Sequence, residues 1–232
     1  FDLDADVGHP RAKPKLNRIH PLALLAFLLG ACAAFSSFVE GMLDKHPATE
    51  SEPWRLLLYS DEVTPGNQLA VSNDIKIQAV YLSFLEFGHR LSDENYWFTT
   101  TTNISSAVRD ISGGMAQIFG VLLQLMFVNE PFEIAGVPFT LASGRRLRIH
   151  AKLGCFIQDG GAHKLTWHTN GDSGMKFCLL CRNAFSRTSV LAEVDGDETL
   201  TCDAMTVGEL VIATSAELID AVRKVHVRKG VD

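Results

Sequence analysis

The chain has no surplus of positive charge: 21 Lys and Arg stand against 27 Asp and Glu, a formal net charge of −6. That balance argues against a general nucleic-acid binder, which is usually basic, and confines any DNA contact to local patches. Cysteines are few and odd in number, five in all, with no regular spacing beyond one Cys-x-x-Cys at Cys178 and Cys181. A secreted disulfide scaffold is disfavoured, and a reducing, intracellular compartment is expected. Internal repeats and low-complexity segments are also missing, which excludes repeat arrays. What remains is a chain of 232 residues, 47% hydrophobic, able to bury a core as one large domain or as a domain plus an appendage. It begins at Phe1 rather than methionine, so it is read as a possible fragment.

One long uncharged run near the start stretches from Pro21 to Val39. Its length and the basic residues upstream meet the test for a membrane span or a signal sequence. Its leucines, however, are confined to Leu22–Leu29, and Gly30, Ser36 and Ser37 follow. A helix buried against protein is the preferred reading, and a membrane anchor through residues 22–39 the third choice.

Beyond a polar loop at 44–53, Trp54 to Ser60 is a short apolar run, as in a strand covered on both faces, and it delivers Asp61 and Glu62 at its end. A Pro65-Gly66-Asn67 turn follows. Residues 75–87 predict one long strand or two, and YWFTTTTNI another. Ile111, Met115, Ile118, Phe119, Leu122 and Met126 recur at spacings of three and four, predicting a helix secure over Met115–Val128. A hairpin-like segment at 131–144 precedes a strand over Arg145–Gln158, which ends in Asp159. Thr214-x-x-Glu217 is a capping box opening a last helix.

Two strand-end carboxylates, Asp61 and Asp159, form the first candidate site. In a ribonuclease-H arrangement the first and fourth strands lie side by side, and acids at their ends share divalent metals that activate water against a phosphodiester. The plainer reading is that both are turn residues, which aspartate favours. Cys178 and Cys181 make half of a tetrahedral zinc site. Candidate completions are His163 and His168, Cys202, or residues past the end of the chain. A thioredoxin-like pair needs a strand before it and a helix at its first cysteine, whereas a glycine-bearing turn precedes Cys178. Two buried cysteines without a ligand are the bland alternative. Arg145, Arg146, Arg148, His150 and Lys152 alternate along one strand. They read as a solvated face or, beside a metal site, as a phosphate track.

Taken together, LLLYSDEVTPGNQL and GCFIQDGGAHKLTWHTNGDSGMKFCLLC resemble eukaryotic cut-and-paste DDE transposases of the CACTA and Plavaka type. In the resemblance, which covers about residues 54 to 185, Asp61 matches the first catalytic acid and Asp159 the second. Lys176, Cys178 and Cys181 match the lysine and thiol pair beyond it. The resemblance implies an RNase H-like core using two Mg²⁺ or Mn²⁺ ions, and zinc at the thiols. It also implies DNA ends and target DNA as partners, with Arg145, Arg146, Arg148, Lys152 and Lys176 as nucleic-acid contacts, and a nuclear location. A homo-oligomer fits the same picture. The chain departs from the pattern twice: no His-x(3–5)-His follows Cys181, and no convincing third acid is present, only Glu209, Glu217 and Asp220. A transposase fragment or relic is the leading expectation, and a catalytically inactive, zinc-stabilised binding module its rival. The expected fold is α/β: an RNase H-like mixed sheet flanked by helices. The expected division is an N-terminal apolar helical lead-in over 1–53, the core over 54–170, and a cysteine-containing insertion with a C-terminal helix over 171–232.

Overall fold

The computed structural model describes residues 19–65, 76–167, 181–185, 200–201, 206–214 and 217. The chain divides into two compact units, Phe1–Trp167 and His168–Asp232.

In the first unit the uncharged run forms two helices, α1 (Pro21–Ala31) and α2 (Ala33–Lys45). They meet at 104° around Cys32, so no single helix there is long and apolar enough to cross a membrane. Leu22, Leu25 and Leu29 of α1 and Phe35 and Val39 of α2 instead enter the main core.

Four strands build the sheet: β1 (Trp54–Val63), β2 (Ile77–Phe84), β3 (Phe98–Ile104) and β6 (Ala151–Gln158). Their order is β3-β2-β1-β6. The β1–β2 and β2–β3 pairs are antiparallel, and β1–β6 is parallel. The architecture is thus mixed α/β, a four-stranded mixed sheet flanked by helices. Strand alternation explains its inner face. Trp54, Leu56 and Leu58 of β1 and Val80, Leu82 and Phe84 of β2 pack with Met115, Ile118, Phe119 and Leu122 of α4 (Gly114–Leu123), which follows the short α3 (Ser105–Arg109). These four α4 residues are the apolar stripe that the spacing predicts. The last turn of that helix widens into a π-turn over Gln124–Asn129.

The strand expected over 145–158 is two strands. β5 (Arg146–Ile149) pairs with β4 (Val137–Thr140) in a separate hairpin, and β6 starts afresh at Ala151. His150 marks the break: its N–H donates to Ala48 O and its carbonyl accepts from Trp54 N. At Gly154 the β1–β6 register slips by one residue, a bulge that bends the strand. A β-carbon at Gly154 would lie 2.9 Å from Arg55 Cβ and 3.0 Å from Leu56 O, so only glycine fits this approach. Beyond β6, α5 spans Gly160–Trp167.

In the second unit, β7 (Ala184–Phe185) pairs in parallel with β8 (Leu200–Thr201). Cys181 forms an antiparallel bridge with Ile212. The capping box forms as expected: Glu217 Oε2 accepts from Thr214 N at 2.7 Å while Glu217 N donates to Thr214 Oγ1. Thr206 and Glu209 repeat the first half of this arrangement.

Candidate functional site

Parallel pairing of Ser60 with Gln158 carries both strands to the same sheet end, so Asp61 and Asp159 follow as neighbours. Adjacent strands run about 5 Å apart, which brings two residues 98 positions distant in sequence into one neighbourhood. Gln158 fastens this end. Its Nε2 donates to Ser60 Oγ at 2.8 Å and to Thr166 Oγ1 of α5 at 2.6 Å.

Each carboxylate already has local hydrogen-bond donors. Asp61 Oδ2 accepts from the Tyr59 hydroxyl at 2.8 Å, and its Oδ1 from Glu62 N at 2.7 Å. Asp159 Oδ1 accepts from Ala162 N at 2.6 Å, capping the start of α5 as turn aspartates do. Tyr59 registers both charges. Its phenol is pushed from 10.0 to about 12, first by the hydrogen bond to Asp61, then by burial, with the Asp61 and Asp159 charges adding. Glu62, on the other side of β1, is drawn below the ordinary carboxylate value, chiefly by Lys76. Lys76 Nζ donates to it at 2.6 Å, Gln78 Nε2 at 2.8 Å and Ser105 Oγ at 3.0 Å.

The cofactor expectation is overturned. Among the described residues no three His, Cys, Asp or Glu side chains converge to hold a metal ion, so neither the Mg²⁺ or Mn²⁺ pair nor the zinc is supported. Asp61 and Asp159 are only two acids, and they spend oxygens on Tyr59, Glu62 and Ala162, whereas a hard cation takes about six oxygen ligands. His163 sits on α5 with its ring 6.3 Å from that of Trp167. Cys181 is buried at 7% exposure in the second unit. Cys178, His168, Lys176 and Cys202 lie outside the described residues.

The basic stripe is divided. Arg145 pairs with Glu40 of α2, and Arg148 Nη1 donates to the carbonyls of Ala135 and Gly136. Arg146 is exposed on the hairpin. Lys152 opens β6 opposite Arg55, at the far end of that strand from Asp159. The stripe and the acid pair therefore do not meet.

Sequence reasoning gave no role to the aromatic group beside Asp61. Tyr59 and Tyr81 face each other across β1 and β2 in register, their rings stacked with centroids 5.6 Å apart and planes 22° apart. Trp97 meets Tyr59 edge-on at 5.9 Å. The rings line an open cleft of about 610 Å³ with Asp61 and Glu94 among its walls. The available signal was the alternation Leu57, Tyr59, Asp61, which puts Tyr59 and Asp61 on one strand face; the position of Trp97 depends on a turn. Compared with family models, curated proteins and solved structures, the chain matches none.

Proposed function

We propose that this chain is the RNase H-like core of a cut-and-paste DDE transposase, or of a protein descended from one, and that its Asp61–Asp159 edge faces a DNA strand. The observation carrying this reading is the parallel pairing of β1, which carries Asp61, with β6, which leads into Asp159. The order β3-β2-β1-β6, with a helix between β3 and β6, supports it. On this reading the reaction class is phosphodiester hydrolysis followed by attack of the freed 3′-hydroxyl on target DNA. The partners are transposon ends and target DNA, and the compartment is the nucleus.

A second reading, a binding module that retains the fold without the chemistry, is favoured by one feature. Both carboxylates already accept structural hydrogen bonds, Asp61 from Tyr59 and Asp159 from the α5 backbone.

Two measurements on the full chain decide. Duplex DNA should bind, and Asp61→Asn and Asp159→Asn should each tighten binding, because either removes a negative charge facing phosphates. Nicking of supercoiled plasmid that disappears in Asp61→Ala and Asp159→Ala selects the transposase. DNA binding without nicking selects the module. Absence of DNA binding, with both Asn variants unchanged, ends the DNA reading altogether.

A further inference from the structure

The open cleft beside Asp61 has a chemistry that no polynucleotide function requires. Its aromatic walls are Tyr59, Tyr81 and Trp97, and its charged groups are Asp61 and Glu94. No Lys, Arg or His lines it among the described residues. A nucleobase stacked here would bring its phosphate toward two carboxylates with no cation to offset them. A positive group gains instead from both the ring faces and the carboxylates.

The walls are fixed before any ligand arrives. Trp97 Nε1 donates to Leu91 O at 2.9 Å, leaving the ring rather than the N–H for a ligand. Tyr96, next to it, is tied through its carbonyl to Ser83 Oγ at 2.7 Å. Asp93 caps the same turn by accepting from Asn95 N at 3.0 Å. Tyr59 is held by Asp61, and its ring is about perpendicular to that of Trp97, the planes 68° apart. Rings in two orientations, backed by carboxylates, make a corner for a rounded cation rather than a slot for a flat base. The cleft volume of about 610 Å³ lies within the usual range for ligand sites, with room for flanking backbone.

We infer that this cleft binds a lysine-type ammonium side chain, methylated or not, presented by a protein partner. Tyr59, Tyr81 and Trp97 contact the head group, and Asp61 and Glu94 supply the counter-charge. The site shares Asp61 with the transposase reading but rests on the aromatic and acidic lining of the cleft alone.

The test is calorimetric titration of the full chain with N-acetyl trimethyl-lysine methylamide and with its neutral isostere, in which carbon replaces the charged nitrogen. The cation should bind about fivefold or more tightly than the isostere. Trp97→Ala should weaken the cation by about the same factor. Thr99→Lys guards against a folding artefact: Thr99 is exposed on the edge strand β3, and the added charge should repel the cation. Equal binding of isostere and cation, or full affinity in Thr99→Lys, overturns the proposal. So does a single-stranded oligonucleotide that occupies the cleft and binds more tightly to Thr99→Lys, since the occupant is then nucleic acid.

Discussion

The Tyr59 hydroxyl donates a 2.8 Å hydrogen bond to Asp61 Oδ2 two residues along the same strand. Positions i and i+2 share a strand face, so the phenol and the carboxylate meet without distorting the backbone. With its pKa raised from 10.0 to about 12, Tyr59 is bound preferentially in its neutral form. Its contribution to stability is fully present below pH 10 and is lost as pH rises toward 12. Urea midpoints measured from neutral to strongly alkaline pH should fall more steeply for the native sequence than for Tyr59→Phe. In Asp61→Asn, spectrophotometric titration should return the Tyr59 transition toward pH 10.

Glu62 joins β1, β2 and the residue after β3 through Lys76, Gln78 and Ser105. Glu62→Gln removes the ion pair and one face of this network, with an expected loss of about 1 kcal/mol in chemical denaturation at neutral pH. Because the native pKa is depressed, the contribution exists above the ordinary value of 4.5 and disappears as pH falls below it. The gap between native and variant should therefore close in acid. A gap that persists at low pH would place the effect in packing rather than in charge.

Gly154 allows β6 to pass close to β1 at the bulge. Gly154→Val forces a β-carbon against the Arg55 side chain and the Leu56 backbone, and should cost about 1–3 kcal/mol. The strand leading to Asp159 should shift with the same change. Denaturation midpoints, with Gly160→Ala as a control where a β-carbon meets nothing within 4 Å, should separate the two sites.

Leu58 is fully buried in the core under α4. Leu58→Ala should destabilise the first unit by about 2–5 kcal/mol, read from thermal or urea unfolding. Val63→Ala, on an exposed residue of the same strand, should change little.

Periodicity and turn chemistry carried a good deal of the fold. The apolar runs ending at Asp61 and Asp159, the α4 stripe and the Thr214–Glu217 box are all local patterns, because alternation and three-four spacing are geometric properties of one element at a time. The run from Pro21 was equally legible as apolar and helical. Its break at Cys32 was not, because that bend answers to the surface that Leu25, Leu29 and Phe35 pack against. Likewise Arg145–Gln158 reads as one strand until His150 is claimed by Ala48 and Trp54, partners a hundred residues away.

By itself, then, the sequence determined most of the strand and helix segments and that an apolar strand leads into each acid, since these follow from the order of apolar and polar side chains along the backbone, although β1 runs on past Asp61 to Val63. Only the tertiary structure decided the rest. The parallel register of β1 and β6 made the two acids neighbours. The hydrogen bonds of Tyr59 and of the α5 backbone set what those acids hold. The turn before β3 brought Trp97 edge-on to Tyr59. Each of these depends on which elements pack together, and a contact between distant residues leaves no periodic mark in the chain that makes it.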